Sequence, residues 1–154
     1  MNWSKVVVIL VVVCIVIAGL WLILNPQKIE GFGIFLMEND ELVISEKEIV
    51  VYNGSSHEII LTEEGTKRIE DLSPRVPLDG TRFVLRIKGE NIYGGWFWSP
   101  ISSMVCSEVV LQTIFTHNTI KIEAGYPHSA FQGEDPRNNP KVFNYFMSVG
   151  KLAD

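Results

Sequence analysis

The chain has 154 residues, 13 of them Lys or Arg and 18 Asp or Glu, for a formal net charge of −5. With 47% apolar and 20% charged residues it is composed as a folded chain rather than a disordered one, and its length suits one domain plus an appendage. The acidic balance supplies no phosphate-neutralising face, which argues against a nucleic-acid partner.

In chain order, residues 6–24 come first and read VVVILVVVCIVIAGLWLIL, 19 residues without a charge or a Pro. A helix of that length spans about 28 Å, close to the hydrocarbon thickness of a bilayer. So many β-branched residues would weaken a helix in water. In lipid the backbone must satisfy its own hydrogen bonds, so a helix forms. Lys5 precedes the run, Asn25 and Pro26 close it, and Trp21 stands where interfacial aromatics collect. The run exceeds the roughly 7–15 apolar residues of a cleaved signal peptide, and no A-x-A pattern follows it. Val13 replaces the small residue expected before a lipidated Cys14. The expectation is therefore a short cytoplasmic tail over 1–5, a transmembrane anchor over 6–24 in contact with the lipid bilayer, and an extracytoplasmic domain over 25–154. The positive charge at the N-terminal flank places that flank inside the cell membrane, in a single-pass topology. Cys14 lies in the run and Cys106 far beyond it, so no disulfide is expected within the outer domain.

The outer domain reads as strand-rich. Residues 33–37 and 41–44 flank the turn-prone Glu38-Asn39-Asp40 and suggest a hairpin. Residues 48–52 are a short β-branched run closed by Asn53-Gly54-Ser55-Ser56, and 58–61 resume extended character. Thr62 is a good N-cap, with Glu63 and Glu64 in the first turn where the helix dipole favours anions. Ile69 and Leu72 give this helix an apolar side, and Ser73-Pro74 stops it. After a loop over 77–80, residues 82–87 alternate polar and apolar. Lys88-Gly89-Glu90-Asn91 makes a turn, and 92–98 return as a second strand. Residues 108–115 and 119–123 form another hairpin around His117-Asn118, and 125–138 are irregular. Asn139 caps a last helix with Pro140 at its first position. Val142, Phe143, Phe146 and Val149 fall at helical spacing, and Gly150 stands at C′. Four strands, a helix, four strands and a helix predict an α+β domain with one mostly antiparallel sheet and two helices.

Candidate chemistry is sparse. His57, His117 and His128 show no i, i+4 metal spacing, and His57-Glu58 begins a segment that reads as a strand, so no metal and no cofactor is expected. Ser102-Ser103 lacks the flanking glycines of a nucleophile elbow, and no phosphate-cradling run exists. Glu134-Asp135 beside Arg137 reads as a solvated loop. No catalytic residue is assigned. The most unusual stretch is Tyr93-Gly94-Gly95-Trp96-Phe97-Trp98, where alternation puts Trp96 and Trp98 on one face and Phe97 on the other. It reads as core, with the glycines marking a bulge or a close backbone approach. Tyr93, Trp96 and Trp98 are the alternative, an interaction surface. Asn53-Gly54-Ser55 is a glycosylation sequon that matters only in a eukaryotic secretory route.

Ile59-Ile60-Leu61-Thr62-Glu63-Glu64-Gly65, then Ile69, then Phe83 through Ile92, then Pro100-Ile101, resembles a stretch of the first periplasmic domain of the SecD/SecDF protein-export subunits. The resemblance covers about residues 59–101. It implies a strand-helix-hairpin building block in an extracytoplasmic domain. It does not carry proton-driven export, which needs membrane carboxylates that residues 6–24 lack, and no catalytic residue transfers.

An anchor without a catalytic constellation predicts a single-pass membrane-anchored protein. Its extracytoplasmic domain is expected to bind another membrane or secreted protein, or to support a membrane complex, with protein export as one setting. The alternatives are a membrane-tethered hydrolase, with its site in residues 125–138 or near Ser102, and a spacer domain without a ligand.

Overall fold

The computed structural model describes residues 30–99, 101–113 and 117–154. The expected tail and membrane run lie outside them, and no helix among the described residues is long and apolar enough to cross a membrane. The elements are β1 (Phe32–Leu36), β2 (Leu42–Ser45), β3 (Ile49–Asn53), β4 (Glu58–Leu61), α1 (Glu63–Leu72), β5 (Thr81–Ile87), β6 (Glu90–Trp98), β7 (Cys106–Gln112), β8 (Thr119–Tyr126), α2 (Pro140–Ser148) and β9 (Leu152–Ala153). The nine strands make one sheet in the order β2-β1-β5-β6-β7-β8-β4-β3-β9. This is the expected α+β class; among the described residues there are two helices and a mostly antiparallel sheet, in which only β6–β7 and β3–β9 pair in parallel.

Local chemistry sets the element ends. The Thr62 side chain accepts from Gly65 N, and the Asn139 side chain accepts from Lys141 N ahead of Pro140. Each supplies a partner to a backbone donor that the helix leaves unpaired. Gly150 has φ +70°, the left-handed geometry expected of the residue that ends α2. β6 begins at Glu90, two residues earlier than expected. The turn shrinks to Lys88-Gly89, both at positive φ, the two-residue geometry that matches strand twist. β8 runs on to Tyr126 because Tyr126 pairs with Cys106, which opens β7 before residue 108. The last residues of the expected 108–115 strand, 114–116, lie outside the described residues.

Chain connectivity curls the sheet. β2 is one edge, and β3 is next to the other. Laid flat, seven strand spacings would separate them by about 34 Å. Yet only residues Glu46–Glu48 join Ser45 to Ile49, a reach of at most about 15 Å. The sheet must therefore roll into an open trough. Ser45 and Glu48 close a capping box that fixes this short link. α1 lies against β2, β4 and the link, and α2 against β5 and β9, so both helices close the concave side.

The main core fills that trough. It includes Phe32, Ile34, Tyr52, Ile59, Leu61, Ile69, Phe83, Leu85, Phe97, Leu111, Ile122 and Phe146. The convex side carries a smaller cluster of Trp98, Cys106 and Val110, flanked by Trp96 and Tyr126. Cys106 is a buried free thiol, held above its usual pKa by burial.

Candidate functional site

The aromatic stretch of β6 divides between the two faces. Phe97 and Tyr93 enter the main core, whereas Trp98 is buried in the convex cluster and Trp96 is half-buried beside it. Arg82 stacks its guanidinium 4.5 Å from the Trp96 ring centre. The alternation of Trp96 and Trp98 against Phe97 holds. Tyr93, however, lies across the sheet from the two tryptophans, so the three do not form one platform. Gly95 reflects a close approach: a Cβ there would lie 2.5 Å from the Val109 carbonyl oxygen and 2.8 Å from the Phe83 ring.

Ser102 is structural. Its hydroxyl donates to the Leu78 carbonyl at 2.6 Å and accepts from Met104 N at 3.2 Å. It thereby ties the loop before β5 to the loop before β7. Around this tie, Ile101 and Val105 expose 81% and 68% of their surface, and Leu78 and Met104 about half of theirs. These are apolar side chains held out in water on two linked loops.

A second feature was not legible in the sequence. A polar cleft of about 520 Å³ is lined by Ser55, Ser56, His57, Lys121, Glu123, His128, Asp135, Arg137 and Asn138. The turn after β3 builds one wall. Asn53 Oδ1 accepts from Ser55 N and Ser56 N, and its amide donates to the Asp154 backbone oxygen, so the sequon asparagine is engaged through both its oxygen and its nitrogen. This turn delivers His57 at φ +57° with its ring buried. His57 Nδ1 sits 2.8 Å from the Tyr52 hydroxyl, and the ring packs beside Phe143 of α2.

The opposite wall is the loop after β8. Asp135 accepts from Arg137 Nε and Nη2, the latter at 2.6 Å, while Arg137 Nη1 donates to the Ile122 carbonyl at 2.9 Å. The loop read as solvated is thus pinned to β8 by the Arg137–Ile122 hydrogen bond, with Asp135 pairing the guanidinium inside the loop. Hydrogen bonds from Arg137 hold the Asp135 carboxyl below the usual carboxylate range. His128 Nδ1 lies 3.0 Å from the Ala124 carbonyl. A carbonyl only accepts, so this nitrogen carries the proton. Glu123 accepts from Gln112 Nε2 at 2.7 Å.

Burial pushes the Tyr52 hydroxyl up to about 12, so it stays protonated. Burial pushes His57 down, Arg137 and Lys121 push it further down, and Asp135 opposes them. Among the described residues, no three His, Cys, Asp or Glu side chains converge as a metal site.

The lowered pKa of His57 has a measurable consequence. The unfolded chain takes up the histidine proton first, near pH 6.5, while the folded chain resists it. The His57 contribution is therefore complete above about pH 6.5 and is lost as the pH falls toward the folded value. Urea midpoints of the parent chain should drop between pH 7.5 and 5.5 by more than those of a His57→Gln variant. Parallel pH dependence in the two chains would show that His57 does not titrate in this way.

Compared with protein-family models, with curated proteins and with solved structures, the chain returns no match.

Proposed function

We propose that the chain is a single-pass, N-terminally anchored membrane protein whose extracytoplasmic domain docks a protein partner through the apolar tip formed by Leu78, Ile101, Met104 and Val105. The observation that carries this reading is the tip itself. Single exposed apolar residues are ordinary on a protein surface, but here four stand on two loops that one buried hydroxyl ties together. Keeping such a surface in water costs about 25 cal/mol per Å², a cost that a partner removes. The uncharged run over 6–24 supports the anchor, and the SecD-like grammar of β4, α1, β5 and β6 supports an extracytoplasmic setting, with protein export as one such setting.

A photoreactive amino acid placed at Ile101 in the full chain should trap one discrete protein adduct in intact cells. The same group at Lys67, exposed on α1, should not. Protease added outside those cells should remove the domain and the adduct together. Equal labelling at both positions, or a domain protected from the protease, would overturn the reading.

A further inference from the structure

The Arg137–Ile122 hydrogen bond ties the loop after β8 back to that strand, but it leaves part of the cleft unspent. His57 is buried, its Nδ1 is taken by Tyr52, and its Nε2 has no partner among the described residues. Among the described residues the buried Tyr52 hydroxyl has no acceptor other than His57 Nδ1, so its proton goes to that nitrogen and the neutral ring carries its own proton on Nε2. Lys121, exposed on β8, has no carboxylate within 4.0 Å among the described residues, although Glu58 stands opposite it and Glu123 two residues along. Glu58 accepts from Ser56, and Glu123 is engaged by Gln112. The groups that face His57 across the cleft are Lys121, Glu123, His128, Asp135 and Arg137. Arg137 acts on the ring more strongly than Asp135 does, and Lys121 adds to it. At the His57 ring the two cations thus outweigh Asp135, while Glu123 and Asp135 balance Lys121 and Arg137 over the lining as a whole.

We infer that this cleft binds a small soluble ligand through its oxyanion, a carboxylate or a phosphate group, held by Lys121 Nζ and His57 Nε2–H and backed by the field of Arg137. The donors match the chemistry. An ammonium and an N–H line the same cleft, and each gives an anion a hydrogen bond that its charge strengthens. A metal ion would meet no converging ligand set among the described residues. The volume, about 520 Å³, exceeds what a bare anion fills, so the oxyanion belongs to a larger polar molecule whose other groups meet Ser55, Asn138 and Glu123. Tyr52 is a positioning residue: it selects the tautomer that donates.

The test uses the full chain in a non-ionic detergent with its histidines isotope-labelled, followed by nuclear magnetic resonance at constant ionic strength. Inorganic phosphate and acetate are titrated separately, and a third series uses micelles doped with phosphatidic acid. Phosphate or acetate should shift the His57 resonances saturably and raise the His57 pKa, because an anion stabilises the imidazolium. Lys121→Gln should weaken that binding about tenfold or more, and Lys67→Gln should leave it unchanged. Tyr52→Phe should move the Nε2 resonance toward the other tautomer and weaken binding several-fold, in a chain whose remaining spectrum stays dispersed. Absence of a saturable shift up to about 20 mM of either soluble anion, beyond the millimolar range of a weak site, would overturn the inference. So would an equal response in Lys121→Gln, or a response to phosphatidic acid alone, which would assign the oxyanion to a lipid headgroup.

Discussion

Replacing Phe146 with Ala should unfold the domain at temperatures where the parent chain is fully folded. Phe146 is wholly buried, with its ring centre 4.9 Å from that of Phe32 in β1 and 4.8 Å from that of Tyr52 in β3. Those two strands lie toward opposite edges of the sheet. The ring therefore fills the space that the curl encloses, and no neighbouring strand can close over its absence. Removing a buried Phe costs about 3–5 kcal/mol, of which the cavity that cannot collapse is a large part. For a domain of this size that is a fall of roughly 10–20 °C in melting temperature. Phe143, one turn earlier and only partly buried, should cost less than half as much on the same change. Thermal melts by circular dichroism compare the two. Equal losses, or a Phe146→Ala chain within about 0.5 kcal/mol of the parent, would mean that α2 does not hold the trough shut.

The same helix shows what sequence could and could not carry. Asn139, Pro140 and Gly150 mark its ends because capping depends on residues next to one another. Helical spacing identifies Val142 and Phe146 as the inward side, but not that Phe146 bridges strands 93 to 114 residues upstream. The Asn53–Ser56 turn was legible for the same local reason, yet its product, the buried His57, was not. A turn histidine reads as solvated until Tyr52, Phe143 and a loop some 80 residues onward are seen around it. Asp135 and Arg137 looked like a solvated loop because their charges balance locally. Burial comes from the Ile122 carbonyl, a backbone group that no composition reveals. The brief β9 escaped notice because two residues, Leu152 and Ala153, carry no periodicity, and their pairing is fixed by the hydrogen bond from Gly54 N to Ala153 O. Alternation along β6 placed Trp96 and Trp98 correctly against Phe97. It could not say that the second face of the sheet is also covered, because that cover comes from β7 and β8.

That second face sets the other large effect. Trp98 is 3% exposed and sits with Cys106 and Val110, its ring centre 6.2 Å from that of Tyr126, while Gly80 closes on its edge. Trp98→Ala should therefore cost about 3–5 kcal/mol, the range for a buried Trp. Trp96 is half-buried beneath Arg82, so Trp96→Ala should cost about 1 kcal/mol, the sum of a partial burial and one cation–π contact. The indole of Trp98 adds a finer discrimination. Its Nε1 is buried and has no hydrogen-bond partner among the described residues. An unmet buried donor carries its own desolvation cost of about 1–3 kcal/mol. Trp98→Phe removes that donor while keeping an aromatic ring, so the packing it loses is offset and the change should cost about 1 kcal/mol or less. Urea denaturation of the three variants tests the order Trp98→Ala, then Trp96→Ala, with Trp98→Phe near or below the second. If Trp98→Phe proved as damaging as Trp98→Ala, the indole nitrogen would have to be satisfied in solution, by water or by a bound group. If Trp98→Ala left the unfolding midpoint unchanged, the convex cluster would not be a core at all, and this face of the sheet would become the surface to examine for a partner.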